Sequence, residues 1–179
     1  MLQQNFFYKL ILISLSIVLM SSCAGLASYK AYEGPVLPSM QLSVVEGDQY
    51  MRREWINRYT DAIRFTAVDG NTVENNTEHS SIEITPGFHD LRVYYLWDLG
   101  SQRGLGPALV NYSASRDALS RTLRFNARSG ERYTVKARPH FNSNSQDITT
   151  LSHIDFWVED QRGNEIVTRA DGRYIPVRQ

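Results

Sequence analysis

The stretch Ser81–Leu96, SIEITPGFHDLRVYYL, constrains the fold more than any other part of the chain. Ile82 and Ile84 share one face before Pro86-Gly87, and Leu91, Val93 and Tyr95 share one face after it. Alternation with a period of two, broken by Pro-Gly, predicts two antiparallel strands joined by a tight turn. Proline presets φ at such a turn, and glycine accepts the positive φ that other residues resist. Pro86, Gly87 and His89 are therefore the structural residues of the turn, and neighbouring strands are expected to pack on this hairpin.

The same alternation recurs along the chain. Gln41–Val45 alternates and is ended by Gly47-Asp48. Ile63, Phe65 and Ala67 lead to Asp69-Gly70, a strong hairpin signal. Leu119, Arg121, Leu123 and Phe125 face one way before a turn at Ser129-Gly130, and Tyr133, Val135 and Ala137 alternate after it. Ile154, Phe156 and Val158 alternate with Asp155, Trp157 and Glu159. A turn at Gln161–Asn164 leads to Glu165–Thr168, and Tyr174–Val177 adds an edge strand that tolerates Pro176. Gln49–Tyr59 breaks the pattern: Met51, Trp55 and Tyr59 recur every four residues, and Glu54 precedes Arg58 by four, which reads as a short helix or an irregular segment. Glu74–Ser80 and Pro139–Thr149 are polar loops, and Trp97–Tyr112 is a long glycine-rich connection. Seven or eight short strands separated by turns predict an all-β fold, a single β-sandwich.

The first residues carry an address. Lys9 and the amino terminus are positive, and Leu10–Met20 is an uncharged apolar run of 11 residues. A helix needs about 20 apolar residues to span a bilayer core, so the run reads as the helix of a secretion signal. Met20-Ser21-Ser22-Cys23 resembles the lipobox of bacterial lipoproteins, with Met20 in place of the usual leucine. The resemblance implies that residues 1–22 are a signal peptide removed before Cys23, and that Cys23 bears diacylglyceryl and palmitate-type chains. An ordinary signal peptide with an incidental cysteine, or an uncleaved anchor, is the alternative. Two or more chains hold a protein stably, at about 0.8 kcal/mol per buried methylene. Ala24 stands where an aspartate would mark retention at the inner membrane, which implies a periplasm-facing protein of the outer membrane.

Residues 23–38 are then a tether, with Gly34, Pro35 and Pro38 opposing regular structure, and residues 39–179 are the sandwich. The 15 residues Ala24–Pro38 span at most about 50 Å when extended. Cleavage leaves the 157 residues Cys23–Gln179, enough for one domain. The whole chain balances 19 basic against 19 acidic side chains, and loss of Lys9 leaves 18 basic ones. That balance argues against a nucleic-acid partner, which requires a strongly basic face. Cys23 is the one cysteine, so the domain has no disulfide and depends on packing.

Beyond the lipobox, the chain resembles a group of small bacterial lipoproteins. The residues concerned are Tyr32–Pro38, Val68-Asp69-Gly70, Thr85–His89 with Leu91-Arg92-Val93, Ser129–Tyr133 and Trp157–Asp160. The Pro-Gly-x-His segment is also similar to surface β-domains of the PEGA and transthyretin-like kinds. The resemblance implies fold and location, and no activity.

Candidate chemistry is sparse. His89 invites a role as metal ligand or base, but Asp90 beside it points to the opposite strand face, and a turn-capping hydrogen bond to backbone is the favoured role. His79, His140 and His153 lack ligand spacing such as His-x-x-x-His; two or three can meet at one end of a sandwich, but no metal is expected. No Gly-x-Ser-x-Gly elbow is present. Asp155 and Glu159 are four residues apart on one strand face, about 13 Å, which is too wide for a glycosidase pair. With Asp160 they read as a solvated face. Gly100–Pro107 lacks the Lys-Ser/Thr of a phosphate loop. Trp97, Arg103 and Tyr112, together with an outward Tyr94, form a candidate contact surface of residue types favoured at interfaces; Trp97 closing the core is the alternative. The expectation is a non-catalytic lipoprotein without cofactor that contacts an envelope protein or the cell wall. A small-molecule or metal-binding module is the rival, and an envelope hydrolase comes third.

Overall fold

The alternating apolar residues of the sequence become the inner faces of two packed sheets. A computed structural model describes residues 28–54, 57–76, 78–96, 119–144 and 150–176. Their strands are β1 (Tyr29–Lys30), β2 (Ser43–Gly47), β3 (Gln49–Glu54), β4 (Asn57–Val68), β5 (Asn71–Thr72), β6 (Ser81–Ile84), β7 (Gly87–Leu96), β8 (Ser120–Ala127), β9 (Arg132–Phe141), β10 (Leu151–Asp160), β11 (Glu165–Val167) and β12 (Arg173–Tyr174). One sheet runs β1-β6-β2-β9-β10-β11, with β12 also on β10; the other runs β3-β4-β7-β8, with β5 on β4. The fold is an all-β sandwich. Twelve strands among the described residues exceed the expected seven or eight: β1 lies in the expected tether, β3 in the segment read as helix or irregular, and β5, β11 and β12 have only two or three residues each.

Val45, Ile82, Ile84, Tyr133, Val135, Ile154, Phe156 and Val158 from the seven-stranded sheet meet Ile63, Phe65, Leu91, Val93, Tyr95, Leu123 and Phe125 from the five-stranded one. Fully burying such a side chain stabilises by about 1.5–3 kcal/mol, and with no disulfide this packing is what holds the domain.

Ser81–Leu96 is not a hairpin. Its first arm, β6, pairs with β1 and β2, while its second, β7, pairs with β4 and β8 in the opposite sheet. Thr85-Pro86 is a corner between sheets. Alternation cannot tell the two arrangements apart, because a corner also aims both apolar faces at one core. Gly87, at φ +131, occupies backbone that L side chains rarely adopt. A local hairpin does form at Asp69-Gly70, where φ values of 51 and 83 give the type I′ turn favoured between twisted strands.

The described residues of Gln49–Tyr59 are extended, not helical: Gln49–Glu54 pairs antiparallel with Asn57–Ala62. A repeat of four is also a multiple of two, so spacing alone cannot exclude a strand. Tyr50 packs against the core, and its hydroxyl accepts the Ala137 N–H at 2.7 Å. Burial pushes this phenol well above its ordinary pKa. The polar loop expected from Pro139 begins later, since β9 runs to Phe141. The tether is also shorter than expected. Tyr29 and Lys30 pair parallel with Ile82 and Glu83, the Ala31 N–H donates to Glu83 O at 2.9 Å, and Tyr29 and Ala31 pack on the core.

Two seams join the sheets. The Asp48 N–H donates to Val135 O at 2.9 Å, and Asp48 O accepts the Ile63 N–H at 3.0 Å, so one residue bonds to both sheets. Near the C-terminus, the Phe156 N–H donates to Gly172 O at 3.3 Å, and Arg121 Nη2 on β8 donates to Asp171 O at 2.8 Å. A Cβ on Gly172 would lie 1.9 Å from Phe156 O, so only glycine allows this segment to lie so close to β10.

Candidate functional site

Of the residues singled out in the sequence, Cys23, Trp97, Arg103 and Tyr112 lie outside the described residues. Tyr94 does not line an exposed contact surface: it is 2% exposed. It does sit on the outward face of β7, cross-strand from Arg64. That face is itself buried at Ala62, Arg64 and Tyr94, so outward-pointing does not mean solvated here. Burial holds the Arg64 guanidinium below its ordinary pKa.

His89 sits at the corner with both ring nitrogens engaged. Nε2 is 2.7 Å from Thr85 O, and Nδ1 is 2.6 Å from Asp69 Oδ2. Asp69 Oδ1 accepts the Asp90 N–H at 2.8 Å. The imidazole thus ties the end of β6, the start of β7 and the β4–β5 turn. Partial burial pushes the Asp69 carboxyl upward, but the Asp90 and His89 hydrogen bonds, with the charges of His89 and Arg124, outweigh it and hold the group below its usual value.

The concentration of chemistry lies elsewhere, on the outer face of the β9–β10 hairpin. A register shift between Leu151 and His153 sets His153 directly opposite His140. Their rings stack at 4.3 Å between centroids with 10° between planes. Asp155, two residues along and on the same face, brings Oδ2 to 3.3 Å from His140 Nε2 and 3.7 Å from His153 Nε2. From the other side β12 places Arg173 opposite Asp155, with Nε 2.6 Å from Oδ1 and Nη2 3.2 Å from Oδ2. Ser152 Oγ is 3.1 Å from His153 Nδ1.

The expected solvated face is therefore wrong at Asp155, whose side chain is 8% exposed. Desolvation raises its pKa, but the hydrogen bonds and charge of Arg173, together with the two imidazoles, bring it below the ordinary carboxylate value. Desolvation, and then the charges of His140 and Arg173, lower the pKa of His153 despite Asp155. At neutral pH the pair is a carboxylate beside a neutral imidazole. His140 Nε2 is buried and, although 3.3 Å from Asp155 Oδ2, makes no well-aligned hydrogen bond among the described residues. Further along, Arg169 covers the Trp157 ring at 4.2 Å, the indole N–H donates to Glu159 at 2.7 Å, and Lys136 pairs with Glu159 at 2.8 Å. These long side chains are what remove Trp157 from solvent.

Two imidazole nitrogens and one carboxylate oxygen, all within 4.8 Å of one another, are a donor set able to hold a metal ion. The sequence allows two or three of the histidines to meet, but 140 and 153 have no ligand spacing and Asp155 reads as part of a solvated face. The available signal was parity: His140 shares the outward face with Lys136 and Arg138, and His153 shares it with Asp155. No protein-family model, curated protein or solved structure matches this chain.

Proposed function

We propose that this chain is a bacterial envelope lipoprotein, anchored through lipid on Cys23, whose non-catalytic sandwich works close to the membrane surface and contacts another envelope component there. The lipobox-like Met20–Cys23 supports the anchor, and Ala24 favours the outer membrane. Among the described residues no helix is long and apolar enough to cross a membrane. The observation that carries the reading is the position of β1. Only five residues, Ala24–Ser28, separate Cys23 from a strand built into the sheet edge. Extended, that connection reaches about 20 Å, against about 50 Å for a free tether to Pro38. An anchored domain is thus held against the bilayer, which favours a membrane-proximal protein partner over a distant wall.

The test is metabolic labelling with a tagged palmitate, followed by detergent-phase partitioning. The wild-type chain should be labelled and should partition with detergent. Cys23→Ser should be unlabelled and yield no mature detergent-phase form. A labelled Cys23→Ser protein, or an unlabelled wild type, overturns the reading.

A further inference from the structure

We propose that His140, His153 and Asp155 form a binding site for one divalent transition-metal ion of the zinc type, on the outer face of the seven-stranded sheet. The inference is independent of the lipid anchor. Donors that sit 2.0–2.1 Å from a tetrahedral ion are roughly 3.3–3.4 Å from one another. His140 Nε2 and His153 Nε2 lie 3.3 and 3.7 Å from Asp155 Oδ2, so the cluster needs to close by only a few tenths of an ångström on those two edges. Two nitrogen donors disfavour magnesium and calcium, which seek oxygen, and favour copper(II) and zinc.

The surroundings act in the same direction. His140 has a side chain 40% exposed, yet buries Nε2, the one atom able to coordinate from that side, against the carboxylate. Ser152 engages Nδ1 of His153 and leaves Nε2 facing Asp155. Arg173 is a positioning residue. Its Nε holds Oδ1, so an ion takes Oδ2 by displacing only the longer Nη2 contact at 3.2 Å. The stack imposes one condition. Parallel rings aim their in-plane lone pairs along parallel planes, so one ring must turn before both meet a single ion. His140 is the ring that turns, since His153 is only 24% exposed and engaged by Ser152. Solvent reaches both rings and fills the fourth corner.

The experiment is equilibrium dialysis of the full chain carrying Cys23→Ser, which removes the one thiol, against zinc with calcium and magnesium in excess. One zinc per chain is expected. His140→Gln, His153→Gln and Asp155→Asn should each weaken binding at least about tenfold, while His79→Gln, whose ring packs beside Tyr29, leaves it unchanged. Asp155→Asn risks the fold, so circular dichroism of the two histidine variants guards the comparison. Copper(II) bound in place of zinc should show coupling to two imidazole nitrogens in its electron paramagnetic resonance spectrum. Zinc uptake that survives the His140→Gln/His153→Gln double variant, or no uptake by the parent chain, overturns the site.

Discussion

His89 sets its two ring nitrogens against two oxygens, the Thr85 carbonyl and the Asp69 carboxylate, and so ties the corner together. His89→Ala removes both contacts and should lower stability by about 1–3 kcal/mol in urea unfolding. His89→Asn can reach one acceptor and should recover part of the loss; zinc should alter neither variant's deficit. Asp69 gives the clamp a pH signature. Its folded pKa lies below the ordinary carboxylate value. Its contribution is therefore fully present above the unfolded range, about pH 4, and is lost as pH falls through the lower folded value. The stability difference between wild type and Asp69→Asn should shrink below about pH 4. Residue parity was legible at this scale: Leu91, Val93, Ile154 and Phe156 are all in the core, as their alternation requires. Outward exposure was not legible, because burial of Tyr94 and Asp155 depends on what lies over the sheet, and alternation carries no information about that.

Elements are joined by corners that the sequence marks without saying where they lead. Pro86-Gly87 signals a reversal whether the next strand pairs locally or crosses to the other sheet. His140 and His153 likewise meet only through the β9–β10 register, which a bulge resets and the intervening loop hides. Two glycines separate the causes of strain. At Gly87 nothing lies within 4 Å of an added Cβ, so Gly87→Val should cost only backbone strain, about 1–3 kcal/mol. At Gly172 the added atom meets the backbone of β10. Gly172→Ala should therefore detach the Arg173 strand, seen as faster amide exchange at Phe156, whose N–H now bonds to Gly172. Slow exchange there in a folded Gly172→Ala protein would show that the segment can shift without releasing.

For the whole molecule, the short β1 has a mechanical consequence. Any pull transmitted from Cys23 enters the sandwich through two parallel residue pairs and the Ala31–Glu83 hydrogen bond. β2, by contrast, is flanked on both sides by ladders of four residue pairs each. The first strand should yield long before the core, releasing residues 29–38 and adding on the order of 30 Å of reach. A single-molecule extension trace would record this as a small, reversible step at low force, well ahead of global unfolding; a single rupture with no precursor would contradict it. Under the proposed anchor at Cys23, the domain would behave as a load on a slack-bearing line, held close at rest and paying out length under tension before its packed centre feels any force.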